Sequence, residues 1–419
     1  MRSVGVLSLG CKVNAYESEF VINKLKENGY LINNFNDICD VYIINTCTVT
    51  NTSDIKSRKM IRNAIKRNSN ACVVAMGCFI EANHDIEIPG LDIIIGNKDK
   101  SRIVDILDEW FDKREQIRRL YAEEKTEFED MYITDFPGRT RAFVKIQDGC
   151  ENFCSYCIIP FVRGKCRSKD KEKVLDEIKT LVNNGYREVV LTGIHTGNYG
   201  ADSDISFAEL LRRIVKIDGL ERLRISSIEI TEIDSEVLDV IKESKVIVNH
   251  LHIPLQAGSD EILKRMNRKY NLDYFFKKIA EIRKIRPDIA ISTDVIVGFP
   301  GESEELFLKT IDTCEAIGFS KIHVFPYSER KGTKAIEMDE VVAVEDRKTR
   351  SRRLLEVSKK LENAYMSRFL EKEVLVLIEE FKNGYSYGHT DNFLYVKVEG
   401  EISHNTLAKE YPYCVGEII

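Results

Sequence analysis

Gln147-Asp-Gly-Cys150-Glu-Asn-Phe-Cys154-Ser-Tyr-Cys157-Ile-Ile-Pro160 sets three cysteines in a C-x3-C-x2-C spacing directly after the apolar run at residues 142–147. Three thiolates in so short a loop can hold three irons of a cubane cluster, and the fourth iron, lacking a protein ligand, stays open to a substrate or cofactor. The alternative is structural zinc, which takes four ligands, normally in two paired clusters. No second pair lies nearby, and Cys166 is the thiol available as a fourth ligand.

Outward from this loop, 419 residues exceed what one hydrophobic core usually organises, so two or three domains are expected. A content of 43% hydrophobic and 31% charged residues is that of an ordinary globular protein rather than a disordered one. Residues 1–9 lack the basic head and long apolar stretch of a secretory signal, and no apolar run is long enough to span a bilayer, so a cytoplasmic, membrane-free protein is expected. In that compartment eleven cysteines point to metal binding or redox chemistry rather than disulfides. A net charge of −6 argues against a broadly basic coat for nucleic acid, but the segments at residues 56–67 (KSRKMIRNAIKR) and 347–360 (RKTRSRRLLEVSKK) are local basic patches on predicted helices.

Residues 1–100 alternate apolar runs (4–8, 41–45, 72–76, 91–95) with helix-period segments (16–28, 54–67), the pattern of a parallel β-α-β sheet. Cys11, Cys47 and Cys78 each follow one of the first three predicted strands, so parallel pairing brings them to one sheet edge, where they can share a ligand. A densely charged linker is expected at 108–135, with a helix over 110–122. Strand runs then recur near 142–147, 188–191, 223–226, 250–252, 289–297 and 321–324 with helical segments between them. These suggest a full or partial TIM-type barrel, with a doubly wound sheet as the alternative. Short β-type runs at 374–380, 384–389 and 393–399, with Asn383-Gly384 at a turn, indicate a small terminal β-barrel. The fold class is therefore α/β, with expected domains at 1–107, 136–368 and 369–419.

The triad after a strand, with Tyr156 just before its last cysteine, resembles the signature of the radical S-adenosylmethionine superfamily. The resemblance implies that the open iron at Cys150, Cys154 and Cys157 chelates S-adenosylmethionine, which one electron cleaves to a 5′-deoxyadenosyl radical. The continuation Pro160-Phe-Val-Arg163-Gly164, with Cys11, Cys47 and Cys78 upstream, is similar to the methylthiotransferases. That likeness spans nearly the whole chain. It implies a second 4Fe-4S cluster on Cys11, Cys47 and Cys78, a central radical domain, and a terminal TRAM barrel. Residues 407–419 depart from the valine- and lysine-rich closing strand of that barrel.

Stretches matching the walls of a radical S-adenosylmethionine pocket place Gly193, His195, Glu229 and Gln256, with Tyr156, as cofactor-binding candidates. Glu229 is expected to accept from ribose hydroxyls, and Gln256 to bond nucleoside or substrate. Set against this, a lone carboxylate after a strand equally serves as a helix cap. His250, His252 and His323 are read as barrel-wall residues rather than metal ligands.

Leu9-Gly-Cys11-Lys-Val-Asn14-Ala-Tyr-Glu-Ser-Glu19 looks most like the bacterial branch acting on N6-threonylcarbamoyladenosine of tRNA. The alternatives are isopentenyladenosine, a ribosomal-protein aspartate, or an RNA-binding protein with structural clusters. The implied partners are a tRNA anticodon stem-loop, gripped by the two basic helices, and an electron donor such as flavodoxin or ferredoxin. Modifying a base requires it unstacked, which favours a single-stranded loop.

Overall fold

The computed structural model describes residues 1–120 and 127–412. The first body is a six-stranded, wholly parallel sheet: β1 (Ser3–Ser8), β2 (Leu31–Asn33), β3 (Val41–Thr46), β4 (Cys72–Gly77), β5 (Ile93–Ile95) and β6 (Ile117–Arg119), in the order β2-β1-β3-β4-β5-β6. β3 and β4 are buried at every position, because α1 (Lys12–Glu27), α2 (Asn51–Arg67), α3 (Cys78–Glu81) and α4 (Ile103–Lys113) leave neither face of the sheet's centre to water. Hence the strands read as continuous apolar runs. After β2 the strand order reverses across β1, and a doubly wound sheet opens its binding crevice between the strands at such a switch.

The expected linker at 108–135 needs correction. α4 runs on to Lys113, where Arg114 turns left-handed (φ 57°), and β6 then adds an edge strand to the first sheet. Met131, Ile133 and Phe136 are buried in the next core. The helix expected over 110–122 thus stops early, and its last positions fall outside the described residues. A three-residue strand such as Ile117-Arg-Arg is too short to show an alternation.

The second body carries β7 (Arg141–Lys145), β8 (Gln147–Asp148), α5 (Ile159–Arg163), β9 (Arg167–Ser168), α6 (Lys171–Asn183), β10 (Glu188–Thr192), α7 (Phe207–Ile214), β11 (Arg222–Ile225) and α8 (Ser235–Glu243). It continues with β12 (His250–His252), α9 (Asp260–Arg265), α10 (Leu272–Ile285), β13 (Ala290–Val297), α11 (Glu304–Ile317), β14 (Lys321–Pro326) and α12 (Val344–Ser367). Side chains of Asp170, Ser206, Asp234, Ser259, Asn271 and Ser303 accept from backbone N–H groups in the first turns of α6 to α11, which fixes where each helix leaves its loop. Parallel triplets β7-β10-β11 and β12-β13-β14 meet through bridges Leu223–Ile247 and Ser227–His252, giving a six-stranded open barrel. Tyr16 of α1 is buried in the barrel's core and hydrogen-bonds Met131 O and Glu177, so one helix serves both bodies.

The chain ends in an antiparallel half-barrel of β15 (Val374–Lys382), β16 (Tyr385–Thr390), β17 (Tyr395–Glu399) and β18 (Leu407–Glu410), ordered β17-β16-β15-β18. Asn383 and Gly384, both at positive φ, make the β15–β16 turn. β18 closes on β15; the departure expected at 407–419 lies partly beyond the described residues, at 413–419.

Candidate metal centres

The upstream cysteines stand where the topology directs ligands. Cys11 follows β1 and Cys47 follows β3, flanking the switch between them, and Cys78 opens α3 after β4. Gly10 (φ 96°) brings its backbone onto Cys47: a Cβ there would lie 2.7 Å from the Cys47 Sγ, so only glycine lets the two loops meet. Asn14 ties the edge together, donating to Leu9 O at 2.7 Å and Thr46 O at 2.9 Å.

Cys150, Cys154 and Cys157 occupy the loop from β8 to α5, at the mouth of the barrel. The Cys150 N–H donates to Gly164 O and that of Cys157 to Cys154 O, which folds the loop tightly. Gly149 (φ 79°) is required because a Cβ would lie 1.9 Å from Lys165 O. Gly149→Ala is therefore expected to displace Cys150 and remove about half the iron of a reconstituted chain carrying two clusters of four, read by iron assay beside a circular dichroism spectrum of a folded protein.

Arg163 connects the two triads. Fully buried, it donates from Nε to the Cys78 Sγ at 3.3 Å, from Nη1 to Glu17 (2.9 Å) and Asp148 (3.1 Å), and from Nη2 to Asn14 Oδ1 (3.0 Å). Cys78, Ile158 and Val162 pack as one apolar cluster, so the triads lie across a short, dry interface. Below them Glu17 also pairs with Lys100 and Lys145. Burial pushes the Glu17 carboxyl up, but Arg163, Lys100 and Lys145 outweigh it and hold it well below the usual carboxylate range.

Arg268 plays the corresponding part at the barrel triad. It donates to the Cys154 Sγ at 3.3 Å and pairs with Glu229. Glu229 is thus committed to Arg268 and to a capping box with Glu232. His195 hydrogen-bonds Asn152 (3.2 Å) and pairs with Glu232. Burial pulls His195 down, yet bonds to Cys150, Cys166 and Glu232 prevail and raise it to about 12. The His195 N–H donates to Gln147 Oε1, against which Gly193 also lies. Tyr156 packs edge-on to Phe299. Gln256, at φ 66°, bridges to Val295 toward the β13 end.

The donor sets fit thiolate-ligated clusters. Each triad offers three thiols with an arginine donating to one sulfur, a favourable setting for thiolates. Burial pushes the Cys157 thiol up to about 12, so metal entry must release its proton. Among the described residues the one group of three or more His, Cys, Asp or Glu ligand atoms within 4.8 Å of each other is His252, Asp294 and His323. Neither triad, with or without Cys166, is drawn to single-ion spacing. The Cys166 Sγ instead receives a bond from Asn198 at 3.0 Å. Within that group His252 bonds Ser292 Oγ at 2.9 Å and pairs with Asp294 at 3.1 Å.

Between the barrel and the terminal sheet lies a lumen. A cavity of about 250 Å³ is lined by Arg224, His252, Ser292, His323 and Phe393, and one of about 500 Å³ opens beside it at Arg139, Arg141 and Glu379. Lys12, next to Cys11, borders both. Desolvation in the lumen, then the cations Arg224 and Arg141, pull Lys12 down to about 8.

The basic helices differ from each other. Lys56, Arg58, Lys59, Arg62 and Lys66 of α2 are exposed. In α12, Arg347 and Arg350 are buried on Tyr327 O, Glu329 and Glu302, so that segment mainly clamps the helix to the barrel. Sequence reasoning missed Asn14, Glu17, Arg163 and Arg268 as site residues. Asn14, Glu17 and Arg163 stand inside stretches already singled out, but Arg268, in a loop 111 positions beyond Cys157, carries no local signal.

Residues 144–314 match the Radical SAM superfamily, and residues 3–96 match the Uncharacterized protein family UPF0004. The chain is 42% identical to the threonylcarbamoyladenosine tRNA methylthiotransferase MtaB of Bacillus subtilis, over 100% of this chain and 97% of that protein. It is 38% identical to the MtaB of Aquifex aeolicus, over 94% and 96%. The tRNA-2-methylthio-N(6)-dimethylallyladenosine synthase of Carboxydothermus hydrogenoformans is 37% identical over 85% and 83%. In fold it resembles the radical S-adenosylmethionine methyltransferase TsrM of Kitasatospora setae, with a TM-score of 0.55, 15% identity, and coverage of 77% and 74%. No helix among the described residues is long and apolar enough to cross a membrane. From its full-length match to the B. subtilis enzyme, the chain belongs to the tRNA methylthiotransferase family of the radical S-adenosylmethionine superfamily.

Proposed function

We propose that this chain methylthiolates C2 of N6-threonylcarbamoyladenosine at position 37, beside the anticodon of tRNA. The observation that carries the reading is the pair of cysteine triads, one at the edge of each parallel body, joined through Arg163. Cys150, Cys154 and Cys157 would hold one 4Fe-4S cluster, and Cys11, Cys47 and Cys78 the other. When bound, these groups and S-adenosylmethionine supply the electron, the hydrogen-abstracting radical and the methylated sulfur for an aromatic C–H that no polar side chain can activate.

The chain's own part is positioning and exclusion of water. Arg163 and Arg268 neutralise sulfur ligands, while Ile158 and Val162 keep the interval between the triads dry. Tyr156, Gly193, His195 and Glu229 would wall the cofactor side, with Glu229 acting through Arg268. Gln256 would face the nucleoside from the β13 end. The exposed cations of α2 begin a few residues after Cys47 and suit the phosphates of an anticodon stem-loop. A small cytoplasmic reductant such as flavodoxin or ferredoxin would deliver the electron. The names of the relatives at 42% and 38% identity favour threonylcarbamoyladenosine over dimethylallyladenosine.

Mass spectrometry of tRNA nucleosides from a strain lacking the gene tests this. The 2-methylthio derivative of threonylcarbamoyladenosine is expected to vanish and to return on complementation. Its persistence without the gene refutes the substrate assignment.

A further inference from the structure

Among the described residues most cations around the two triads and the lumen have an anionic partner, and of those lining the lumen only Lys12 and the exposed Arg139 have none. Lys100, Lys145 and Arg163 share Glu17 and Asp148. Arg222 and Arg224 share Glu188. The carboxylates on the lumen's rim are engaged as well: Glu362 with Lys321, Glu379 with Arg141, and Glu380 with Lys382. The Lys12 ammonium has neither an ion pair nor a hydrogen bond among the described residues, although it borders both cavities. Beside it Arg224 is fixed, donating to Glu188 at 2.7 Å with its guanidinium 4.6 Å from the Phe393 ring centroid. Lys12 is exposed to the solvent of the lumen, and the carboxylates that attract it, Asp294 and Glu188, already pair with His252 and Arg224, so its ammonium is open to an incoming anion.

We propose that Lys12, with Arg224 beside it, receives the carboxylate of the N6 substituent of the substrate adenosine and selects carboxylated over hydrocarbon substituents. This rests on the substrate reading above. A threonylcarbamoyl group ends in a free carboxylate, which a lysine binds as a point charge. A dimethylallyl group offers Lys12 nothing and would leave the ammonium shielded and unpaired, the arrangement by which a site rejects an analogue. Lys12 directly follows Cys11, so the residue that reads the substituent sits one position from a ligand of the first triad. The substituent and the adenine ring carrying it are thus held at the interface of the two triads.

The test uses the full chain, reconstituted anaerobically, and two anticodon stem-loop RNAs that differ only in the threonylcarbamoyl carboxylate, free in one and a methyl ester in the other. The readout is the ratio of kcat/KM on the acid RNA to that on the ester RNA, in which any general loss of cluster or fold cancels. A charge-assisted bond of about 1.5–3 kcal/mol corresponds to a ratio of roughly ten- to a hundredfold in the parent chain. Lys12→Gln should bring the ratio close to one, and Lys12→Arg should restore most of it. A parent chain indifferent to the ester, or a Lys12→Gln variant that keeps the parent's ratio, overturns the inference while leaving the substrate reading intact. A parent chain inactive on the acid RNA but active on a dimethylallyladenosine stem-loop overturns the substrate reading, and the inference with it.

Discussion

Cys154→Ala, like Cys150→Ala or Cys157→Ala, is expected to abolish methylthio transfer and cleavage of S-adenosylmethionine while keeping about half of the parent's iron, one cluster of four remaining. The three sulfurs project from a ten-residue loop whose course is set by Gly149, by the Cys150-to-Gly164 bond and by the Cys157-to-Cys154 turn, so nothing nearby can replace a lost ligand. Cys166, the nearest additional thiol in sequence, is held by Asn198. Cys47→Ala should give the complementary result: S-adenosylmethionine cleavage is retained, iron again falls by about half, and the tRNA product is lost. Anaerobic reconstitution with parallel assays of iron, 5′-deoxyadenosine and modified nucleoside distinguishes the two. Product formation by any of the three barrel-triad variants would refute the assignment.

The second large effect is on stability. Glu17→Ala should destabilise the chain by about 3–5 kcal/mol, because it leaves buried Lys145 and Arg163 with only the carboxylate of Asp148 and buried Lys100 with no carboxylate. Lys100 suffers most, keeping only Asn97. A lowered urea midpoint with an unchanged slope would report this, and a midpoint equal to the parent's would show the network to be dispensable. The same site sets an acid limit. Glu17 titrates lower in the folded chain than in the unfolded one, so its contribution is complete above about pH 4.3 and is lost as the pH falls through the folded value. Glu17→Gln should flatten the stability profile in that acid window and leave its shape near neutrality unchanged.

Much of this was legible in the residues. The six barrel strands, the parallel first sheet and the Asn383-Gly384 hairpin all follow from apolar runs punctuated by caps and turns, signals that act over a few residues. β2, β6 and the true end of α4 did not follow, since three-residue strands carry no period and a helix stop at Arg114 depends on a left-handed residue that is not glycine. The arginines of α12 misled for a different reason. A basic run reads as solvated until its neighbours are known, and Glu302 and Glu329 lie far from it in sequence.

By itself the sequence determined the chemistry on offer: two sets of three cysteines, each placed where a strand gives way to a loop, because ligand identity and strand-to-loop punctuation are local properties. Only the tertiary structure decided how the sets are joined. Arg163 reaches Cys78, Glu17, Asp148 and Asn14 at once, Arg268 reaches Cys154 from 114 positions away, and Lys12 enters a barrel built by residues 130 to 310 positions further on. These contacts are fixed by the closure of the barrel and by the packing of α1 and the first body's loops against it, and long-range electrostatic pairing leaves no periodic trace in the chain.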